Sequence, residues 1–406
     1  MLSDLRRIAT IQGIRAFAYG FTAVLLGAVL AREGFSTAQV GEVFAAMLAG
    51  MGLMTLTVAV AGDRLGRRRV YLGLLFGLML AGVVFALTSS HLLLILAALT
   101  GTLSTDANES GPISSLEQAM LGQAPARERT RVFSRYNAVA FLFGSLGALA
   151  AGGPALLRHL IPAVPANRSL LLVLPAAGLV CALLALRLGP GVDAAKSPEA
   201  RPGLGAARPR ILGLAFLFGV DSLASGFVVQ AFLVYWFSRR FGASTEVMGL
   251  VFFSTGVLQA ASSVASGWLS VRIGMLPTMV FSHLPANLLL AAIALAPTLT
   301  VAVPMLLVRS FLSSMDVPAR QAFTASIVRP EQRASAAATT NVTRYFVKPL
   351  GPLIGGALMQ LALGAPLIAA AALKIAYDLA LFTAFRNLEP EREPGGPAQA
   401  AARSDS

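Results

Sequence analysis

The strongest constraint on the fold of this chain is a series of apolar runs, each about 20 residues long, separated by short polar or basic breaks. A helix needs about 20 apolar residues to cross a bilayer core of about 30 Å. The chain is 56% hydrophobic and 13% charged, whereas soluble domains carry roughly 25% charged residues. The pattern therefore predicts an all-α polytopic membrane protein and argues against a soluble multidomain enzyme.

Twelve spans fit the sequence in two sets of six. They are predicted at residues 8–31, 40–61, 70–88, 92–120, 131–154, 169–189, 210–237, 246–270, 275–296, 299–324, 335–361 and 365–386. Residues 190–209, rich in Pro, Gly, Ala and charge, are interpreted as a cytoplasmic linker between two six-helix bundles, 1–189 and 210–388. Residues 389–406 have a similar composition and predict a disordered cytoplasmic tail.

Basic residues predict how the chain crosses the membrane. With the N-terminus inside, the inner segments hold twenty of them, and the outer loops hold five: Arg32, Arg158, Arg168, Arg239 and Arg240. Because Lys and Arg concentrate on the cytoplasmic side of a membrane, we expect a multi-pass protein of the cytoplasmic (inner) membrane with both termini in the cytoplasm. The net charge of +13 is then explained by basic residues that set the orientation of the chain in the membrane, and we expect no nucleic-acid partner.

The two sets of spans repeat three local patterns in the same order. The matched segments are residues 62–69 with 267–274, residues 106–112 with 316–318, and residues 147–153 with 351–356. Residues 62–69 and 267–274 follow the second and eighth spans. Residues 106–112 and 316–318 lie in the fourth and tenth spans, and residues 147–153 and 351–356 lie in the fifth and eleventh spans. The repetition predicts a duplicated six-helix unit.

The loop after the second span carries a family resemblance. It reads Ala61-Gly62-Asp63-Arg64-Leu65-Gly66-Arg67-Arg68 and resembles the signature Gly-x-x-Asp-Arg-x-Gly-Arg-Arg of the major facilitator superfamily. The resemblance extends over all twelve spans and implies a transporter in which this loop latches the two halves on the cytoplasmic side. The implied latch residues are Gly62, Asp63, Arg64, Gly66, Arg67 and Arg68, with Arg272 in the second copy, which lacks the acid and the doubled arginine.

The chemistry of the loop can also be predicted without the family. Gly62 and Gly66 permit a tight turn, and Asp63 is expected near the start of the third helix, where a negative charge suits the positive helix end. A simple basic anchor at the cytoplasmic surface is the alternative interpretation of this loop.

Ionisable side chains inside the spans cost about 2.5–3.5 kcal/mol each at the bilayer centre and therefore indicate pairs or functional sites. The cations are Arg15, Arg135, Arg309, Arg320, Arg344, Lys348 and Lys374, and the acids are Asp106, Glu109, Glu117, Asp221, Asp316 and Asp378. Seven cations against six acids predict ion pairs around an aqueous cavity.

Helical spacing, about 100° per residue, groups these charges. Two sets are predicted to share a helix face: Asp106, Glu109 and Glu117 on the fourth helix, and Arg309, Asp316 and Arg320 on the tenth. Lys374 and Asp378, one turn apart on the twelfth, are interpreted as a structural ion pair. Proline is expected to bend the fourth helix at Pro112 and the tenth at Pro318.

The deeper positions are predicted to bind substrate or protons: Arg15, Tyr19, Asp106, Glu109, Asp221, Arg309, Asp316 and Arg344. Their helices, one, four, seven, ten and eleven, include the four that line the central cavity in the family. Glu117 and Arg320, nearer the cytoplasmic ends, are assigned to the gate, with Glu117 as an acceptor for the arginines of the signature loop.

A cavity with paired acids and bases predicts a secondary transporter of a small organic solute that works by alternating access. Protons are the expected coupling ion, carried by Glu109 or Asp221 as a carboxylate that burial keeps protonatable. Efflux by antiport is preferred, because uptake carriers for sugars have more Asn, Gln and Trp in the cavity.

Three alternatives stay open: uptake by symport of a polar or anionic metabolite, a membrane-embedded enzyme, and a non-transporting sensor on the same fold. His91, His159 and His283 are expected at or near the membrane surfaces, without the spacing of a metal site. The sequence lacks a Walker-type phosphate loop. We therefore expect no enzymatic activity, no metal or cofactor, and a monomer in the lipid bilayer.

Overall fold

A computed structural model describes residues 2–106, 111–121, 126–154, 167–189, 204–329 and 332–387. The first half contains α1 (Leu2–Arg32), α2 (Thr37–Leu65), α3 (Arg67–Leu87), α4 (His91–Ala98), α5 (Pro112–Leu121), α6 (Ala126–Ala150) and α7 (Val173–Ala185). The second half contains α8 (Arg208–Gly226), α9 (Gln230–Phe241), α10 (Thr245–Ile273), α11 (Met275–Leu295), α12 (Leu299–Ser314), α13 (Asp316–Ser326), α14 (Arg333–Val347), α15 (Leu350–Leu361) and α16 (Ala365–Phe385).

These helices assemble into the twelve predicted spans. Four spans consist of two helices in line: α4 with α5, α8 with α9, α12 with α13, and α14 with α15. In the described part of the chain, nine stretches are long and apolar enough to cross a membrane by length and composition. Phe76, Phe216 and Val264 expose 63%, 69% and 78% of their surface on the outside of the bundle, as expected for side chains that face lipid. The predicted all-α, multi-pass fold is confirmed.

Among the described residues, one apolar cluster joins the two halves, and it lies at one end of the molecule. A large core cluster contains residues of both halves, such as Phe44 of α2 and Phe232 of α9. A second cluster lies within the first half, around Leu75 and Cys181, and a third lies within the second half, around Phe323. We call the end with the shared core the closed end. The opposite end, where α1 begins and α16 ends, is the terminal end, and there the halves keep separate cores.

Glycine permits the close approach of the halves at the closed end. A Cβ built on Gly41 of α2 would lie 2.3 Å from the carbonyl oxygen of Pro352, and one on Gly249 of α10 would lie 2.6 Å from that of Ala148. Gly41 and Gly249 each stand five residues after a serine that caps its helix. The two contacts are therefore related by the internal repeat, as two-fold pseudosymmetry requires.

The junctions after the second and eighth spans are also equivalent. Gly66 joins α2 to α3 with a φ of 86°, and Gly274 joins α10 to α11 with a φ of 95°, a region that glycine occupies without steric cost. The tight turn predicted at Gly66 is therefore present. The placement of Asp63 was wrong: it lies in the last turn of α2, which continues to Leu65, and not at the start of the third helix.

The fourth span is not one continuous helix. Helix α4 ends at Ala98, Gly101 takes a φ of 69°, and α5 begins at Pro112. A Cβ on Gly101 would lie 2.3 Å from the carbonyl oxygen of Gly50, so the backbone leaves the helix where it crosses α2. The prediction that Asp106 shares a helix face with Glu117 was therefore wrong, because Asp106 lies outside any helix. Glu109, the third acid of that prediction, lies outside the described residues.

Other breaks differ from the sequence prediction as well. In the tenth span, α12 ends at Ser314 and α13 begins at Asp316, so Pro318 lies in the first turn of the new helix, where proline is tolerated. The breaks after Gly226 and at Lys348 were not predicted. A Cβ on Gly226 would lie 2.4 Å from the carbonyl oxygen of Lys348, which shows that these two breaks contact each other.

Two segments of the predicted domain organisation lie largely outside the described residues. These are most of the linker at 190–209 and the tail at 389–406. A short 3-10 turn, Gly205–Ala207, leads directly into α8 at Arg208, so the first helix of the second half starts two residues before the predicted span.

Candidate functional site

A cavity of about 1120 Å³ lies between the halves. Its lining includes residues of the shared core at the closed end, such as Ala148 and Leu233, and continues towards the terminal end at Gln118, Thr324 and Ala337. Seven of the eight predicted substrate or proton residues line it: Arg15, Tyr19, Asp106, Asp221, Arg309, Asp316 and Arg344. The eighth, Glu109, lies outside the described residues. Their functional roles stay predictions.

A buried charge cluster forms the wall of the first half. Arg15 of α1 donates to the Glu117 carboxylate of α5 at 2.6 Å, and the side chains expose 3% and 0% of their surface. Tyr71 and Tyr136 each donate a hydroxyl hydrogen to Glu117, at 2.6 and 2.5 Å. Arg15 also donates to Ser114 at 3.1 Å. Breaking such a buried pair on one side costs about 3–5 kcal/mol, so this cluster holds α1, α3, α5 and α6 together.

The predicted contact of Glu117 with the arginines of the signature loop is not found among the described residues. The hydrogen bonds described at its carboxylate come from Arg15, Tyr71 and Tyr136, all within the first half, and its role in the gate stays a prediction. Arg67 instead donates to the carbonyl oxygen of Ala119 at 3.3 Å, and Arg68 to that of Leu186 at 2.5 Å. Both carbonyls belong to the first half. Burial decided this outcome, because a fully desolvated carboxylate needs an internal cation.

Other residues assigned to the gate occupy different places. Arg272 stacks on the ring of Trp268, its own helix neighbour, with 3.9 Å from Cζ to the ring centroid. Arg320 is buried rather than extended to the membrane surface, since its side chain is 8% exposed. The side chains of residues 61–64 are not described. The latch role that the family resemblance implies stays a prediction.

A second charge cluster surrounds Asp221 of α8. Its carboxylate accepts from Lys374 of α16 at 2.5 Å and lies 3.3 Å from Nη1 of Arg320 of α13. Arg320 also pairs with Asp316 at 2.9 Å, and Lys374 donates to Ser225 at 2.8 Å. Three spans of the second half therefore meet at one carboxylate that lines the cavity.

The predicted Lys374–Asp378 pair was wrong. Lys374 bonds Asp221, while Asp378 lies 2.9 Å from Nδ1 of His283 and accepts from the side-chain amide of Asn287 at 2.9 Å. One turn of helix allows a pair but does not impose it, because side chains on α8 and α11 offer competing partners. His283 is buried in the middle of α11, which is deeper in the span than the predicted position at or near a membrane surface. His91 is partly exposed beside Glu42, and His159 lies outside the described residues.

Asp106 links the halves next to the cavity. Its carboxylate accepts the backbone N–H of Gln230, the first residue of α9, at 2.6 Å, which places a negative charge at the positive end of that helix. The N–H of Ala231 donates to the carbonyl oxygen of Thr105 at 3.0 Å, and Nζ of Lys348 lies 3.8 Å from the Asp106 carboxylate. The breaks of the fourth, seventh and eleventh spans thus converge at one point.

Arg309 of α12 and Arg344 of α14 also line the cavity. Among the described residues, no hydrogen bond or ion pair reaches either guanidinium, and the Nε atom of each is buried without an acceptor. Both lie within electrostatic range of Asp221. They differ in this respect from Arg15 and Arg320, whose charges are neutralised by nearby acids.

Sequence reasoning missed several polar members of these clusters. Gln12 and Ser114 stand three residues before Arg15 and Glu117, and Ser225 stands four after Asp221. That helical spacing beside a buried charge is a signal that could have found them. Tyr71 and Tyr136 lie on α3 and α6 and carry no such signal, because only the packing of helices brings them to Glu117.

Two six-helix halves around a central charged cavity define a membrane transporter. The sequence profile of the Major Facilitator Superfamily matches residues 8–352, and the chain belongs to this family of secondary transporters. The family predicted from the signature loop is thereby confirmed.

Individual relatives share the fold at low identity. The uncharacterized membrane protein YJR124C of Saccharomyces cerevisiae is 24% identical over 395 residues, which cover 87% of this chain and 88% of that protein. The nucleoside transporter NupG has a TM-score of 0.76 at 15% identity, covering 95% of this chain and 99% of that one. An inward-facing, occupied bacterial homologue of the human lysosomal transporter Spinster has a TM-score of 0.74 at 17% identity, covering 95% and 96%.

Proposed function

We propose that this protein is a proton-coupled secondary transporter of a small organic solute in the cytoplasmic membrane, and that Asp221 carries the proton. The observation that carries the proposal is the position of Asp221, a cavity carboxylate tied to Lys374 at 2.5 Å and to Arg320 at 3.3 Å. Protonation removes the negative charge that holds these two cations. A proton therefore changes the forces among α8, α13 and α16 at the cavity wall.

Alternating access supplies the rest of the mechanism. Among the described residues, the halves share a core at the closed end and form separate clusters at the terminal end, which supports a cavity that opens at the terminal end. The distribution of basic residues supports a cytoplasmic terminal end. Rocking of the halves would break the contacts of Gly41 and Gly249 and open the other side.

The cavity lining bears on the direction of transport. Efflux by antiport, preferred from the sequence, rests on a cavity poor in Asn and Gln. In the described part of the chain, seven amide side chains line the cavity: Gln12, Gln118, Asn137, Gln230, Gln259, Gln321 and Asn341. Amides are hydrogen-bond partners for a polar solute. This observation favours uptake by symport as the second candidate beside efflux by antiport.

Proteoliposomes with a pH dye inside would test the proposal, with small acids, drugs and sugars offered as labelled solutes. We expect a solute-dependent pH change in the wild type that is abolished in Asp221→Asn. Asp378→Asn is the matched control, because Asp378 is equally buried in the same half but does not line the cavity. Protons that move with the solute indicate symport, and protons that move against it indicate antiport.

Two other outcomes would contradict the proposal. Solute flux without any pH change would show a facilitator or another coupling ion. Absence of flux for every member of the panel, with correctly inserted protein, would favour a non-transporting sensor on the same fold.

A further inference from the structure

We propose that the second-half wall of the cavity binds the carboxylate or phosphate group of a water-soluble organic anion, between Arg309 and Arg344. This assignment rests on the proposed transport function of the same cavity, and it names the chemical class of the solute. It follows from the charges, the burial and the asymmetry of the cavity walls.

Two guanidinium groups at the cavity have no partner acid among the described residues. Among the described residues, three acids line the cavity and each has a cation partner: Asp221 with Lys374, Asp316 with Arg320, and Asp106 with Lys348. Arg15, which also lines the cavity, pairs with Glu117, a buried acid that does not line it. Six cations line the cavity, and four of them are matched in this way. Arg309 and Arg344 remain, with no ion pair or hydrogen bond to a described residue. The described wall therefore carries an excess of two positive charges.

The guanidinium groups of Arg309 and Arg344 favour an oxyanion as the bound ligand. A guanidinium stays charged in any protein environment and presents a planar fork that matches a carboxylate or phosphate through two parallel hydrogen bonds. The Nε atoms of Arg309 and Arg344 are buried without an acceptor, and leaving a buried donor unsatisfied costs about 1–3 kcal/mol. An anion that accepts from both arginines would recover this cost and neutralise the excess charge.

The facing wall has a different character. In the first half, the only cation that lines the described cavity is Arg15, which is committed to Glu117. Apart from Asp106, which lies beside Lys348, the described wall of that half offers neutral hydrogen-bonding groups and rings: Gln12, Gln118, Asn137, Phe133, Tyr136 and Phe141. A solute with an oxyanion at one end and an apolar or aromatic body at the other matches both walls. The cavity, at about 1120 Å³, is large enough for such a molecule.

A phospholipid head group would present the same oxyanion. We assign the site to a water-soluble anion because neutral amides and hydroxyls, rather than an unbroken apolar surface, separate the rings of the first-half wall. The experiment includes a lipid arm that separates the two sources.

Thermal unfolding of the purified full chain in an uncharged detergent would test the assignment with matched probes. Benzoate is compared with benzamide, phenyl phosphate with phenol, and oleoyl lysophosphatidate serves as the lipid. We expect benzoate or phenyl phosphate to raise the melting temperature in a saturable manner, while their neutral partners do not. Arg309→Gln and Arg344→Gln should each weaken this binding at least about tenfold. Arg240→Gln, an exposed arginine outside the cavity, is the control and should bind like the wild type.

Arg309→Lys and Arg344→Lys are controls that show whether lost binding in the Gln variants results from misfolding. They keep the charge without the fork, so they should restore the melting temperature of the free protein and recover part of the affinity. Binding that survives both Gln substitutions would overturn the assignment. So would equal stabilisation by the neutral partners, stabilisation by the lipid alone, or no stabilisation by either aromatic anion.

The outcomes of the anion-binding experiment can be distinguished from those of the proton-coupled transport experiment. Proton-coupled flux of neutral solutes, with no anion binding, would reject the anion site and leave the proposed transport function standing. Anion binding that depends on both arginines, without any flux in proteoliposomes, would support the site and reject the transport function.

Discussion

Buried charged residues in this protein find their partners on other spans more often than on their own. Lys374 pairs with Asp221 across 153 positions and Arg15 with Glu117 across 102. The exception is Asp316 with Arg320, one turn apart at 2.9 Å. In a low-dielectric interior, every desolvated charge needs a close opposite charge, and packed helices offer more candidates than one helix face does. Sequence spacing identified the charged residues but could choose partners only within a helix.

The partner of Lys374 can be tested by a double-mutant cycle. Lys374→Gln combined with Asp221→Asn should show an interaction free energy of about 1–3 kcal/mol, because these side chains are in contact. Lys374→Gln combined with Asp378→Asn should be close to additive. Reversible unfolding in detergent measures all the variants. Strong coupling to Asp378 and none to Asp221 would contradict the observed pairing.

The pair of Arg15 and Glu117 gives a second prediction at the residue scale. Glu117→Gln leaves the buried Arg15 without a counter-charge, so the free energy of unfolding should fall by about 3–5 kcal/mol. Glu42→Gln is the control, because Glu42 pairs with His91 where its side chain is 43% exposed, and exposed pairs contribute about 0–1 kcal/mol. A double variant with Leu at positions 15 and 117 should recover much of the loss. Equal effects of the two single variants would show that the buried cluster does not stabilise the fold.

At the scale of helices, glycines determine where the spans cross. Gly147 of α6 approaches α1 so closely that a Cβ would lie 2.0 Å from the carbonyl oxygen of Phe17. Gly351 of α15 makes the corresponding approach to α8, at 2.5 Å from Cα of Gly226. Gly147 and Gly351 therefore have equivalent contacts, which accounts for their repetition in the sequence. Small residues are the means by which membrane helices pack closely.

The closed end provides a prediction at this scale. Gly41→Ala places a Cβ about 2.3 Å from the carbonyl oxygen of Pro352, so α2 and α15 must separate. We expect faster labelling of Ala38→Cys, beside Gly356, by a membrane-impermeant maleimide in a Cys181→Ala background. Gly73→Ala on α3 meets no atom within 4 Å and is the matched control. Unchanged labelling in Gly41→Ala would show that this contact does not close the cavity.

At the scale of the whole molecule, the broken spans connect the two halves. The break of the fourth span meets the start of α9 through Asp106 and Thr105, and Lys348 lies beside the same carboxylate. These contacts cross from one half to the other at the cavity, so rocking of the halves must change them. The Asp106 carboxylate stabilises the start of α9 because it accepts a backbone N–H of the first turn, which has no acceptor within its own helix.

Asp106→Ala should therefore shift the equilibrium towards opening of the closed end. Loss of a helix cap costs about 0.5–2 kcal/mol, which changes the ratio of the two states by up to about thirtyfold. Spin labels at Ser90→Cys and Arg240→Cys, exposed at the closed end of each half, would report the distance between the halves. We expect a new population at longer distance, absent from the Asp378→Asn control. An unchanged distance distribution would exclude Asp106 as a link that holds this state.

The sequence by itself determined the number of spans, the two-fold repeat, the family and the residues whose charges lie within the membrane. These features are local, since hydropathy, glycine spacing and buried charge act over a few helical turns. Only the tertiary structure decided that spans seven and eleven break, where spans four and ten leave the helix, which charges pair, and that Arg309 and Arg344 have no acid partner among the described residues. The physical reason is that a buried charge is stabilised by the nearest opposite charge in space, and the distance between spans depends on how helices pack.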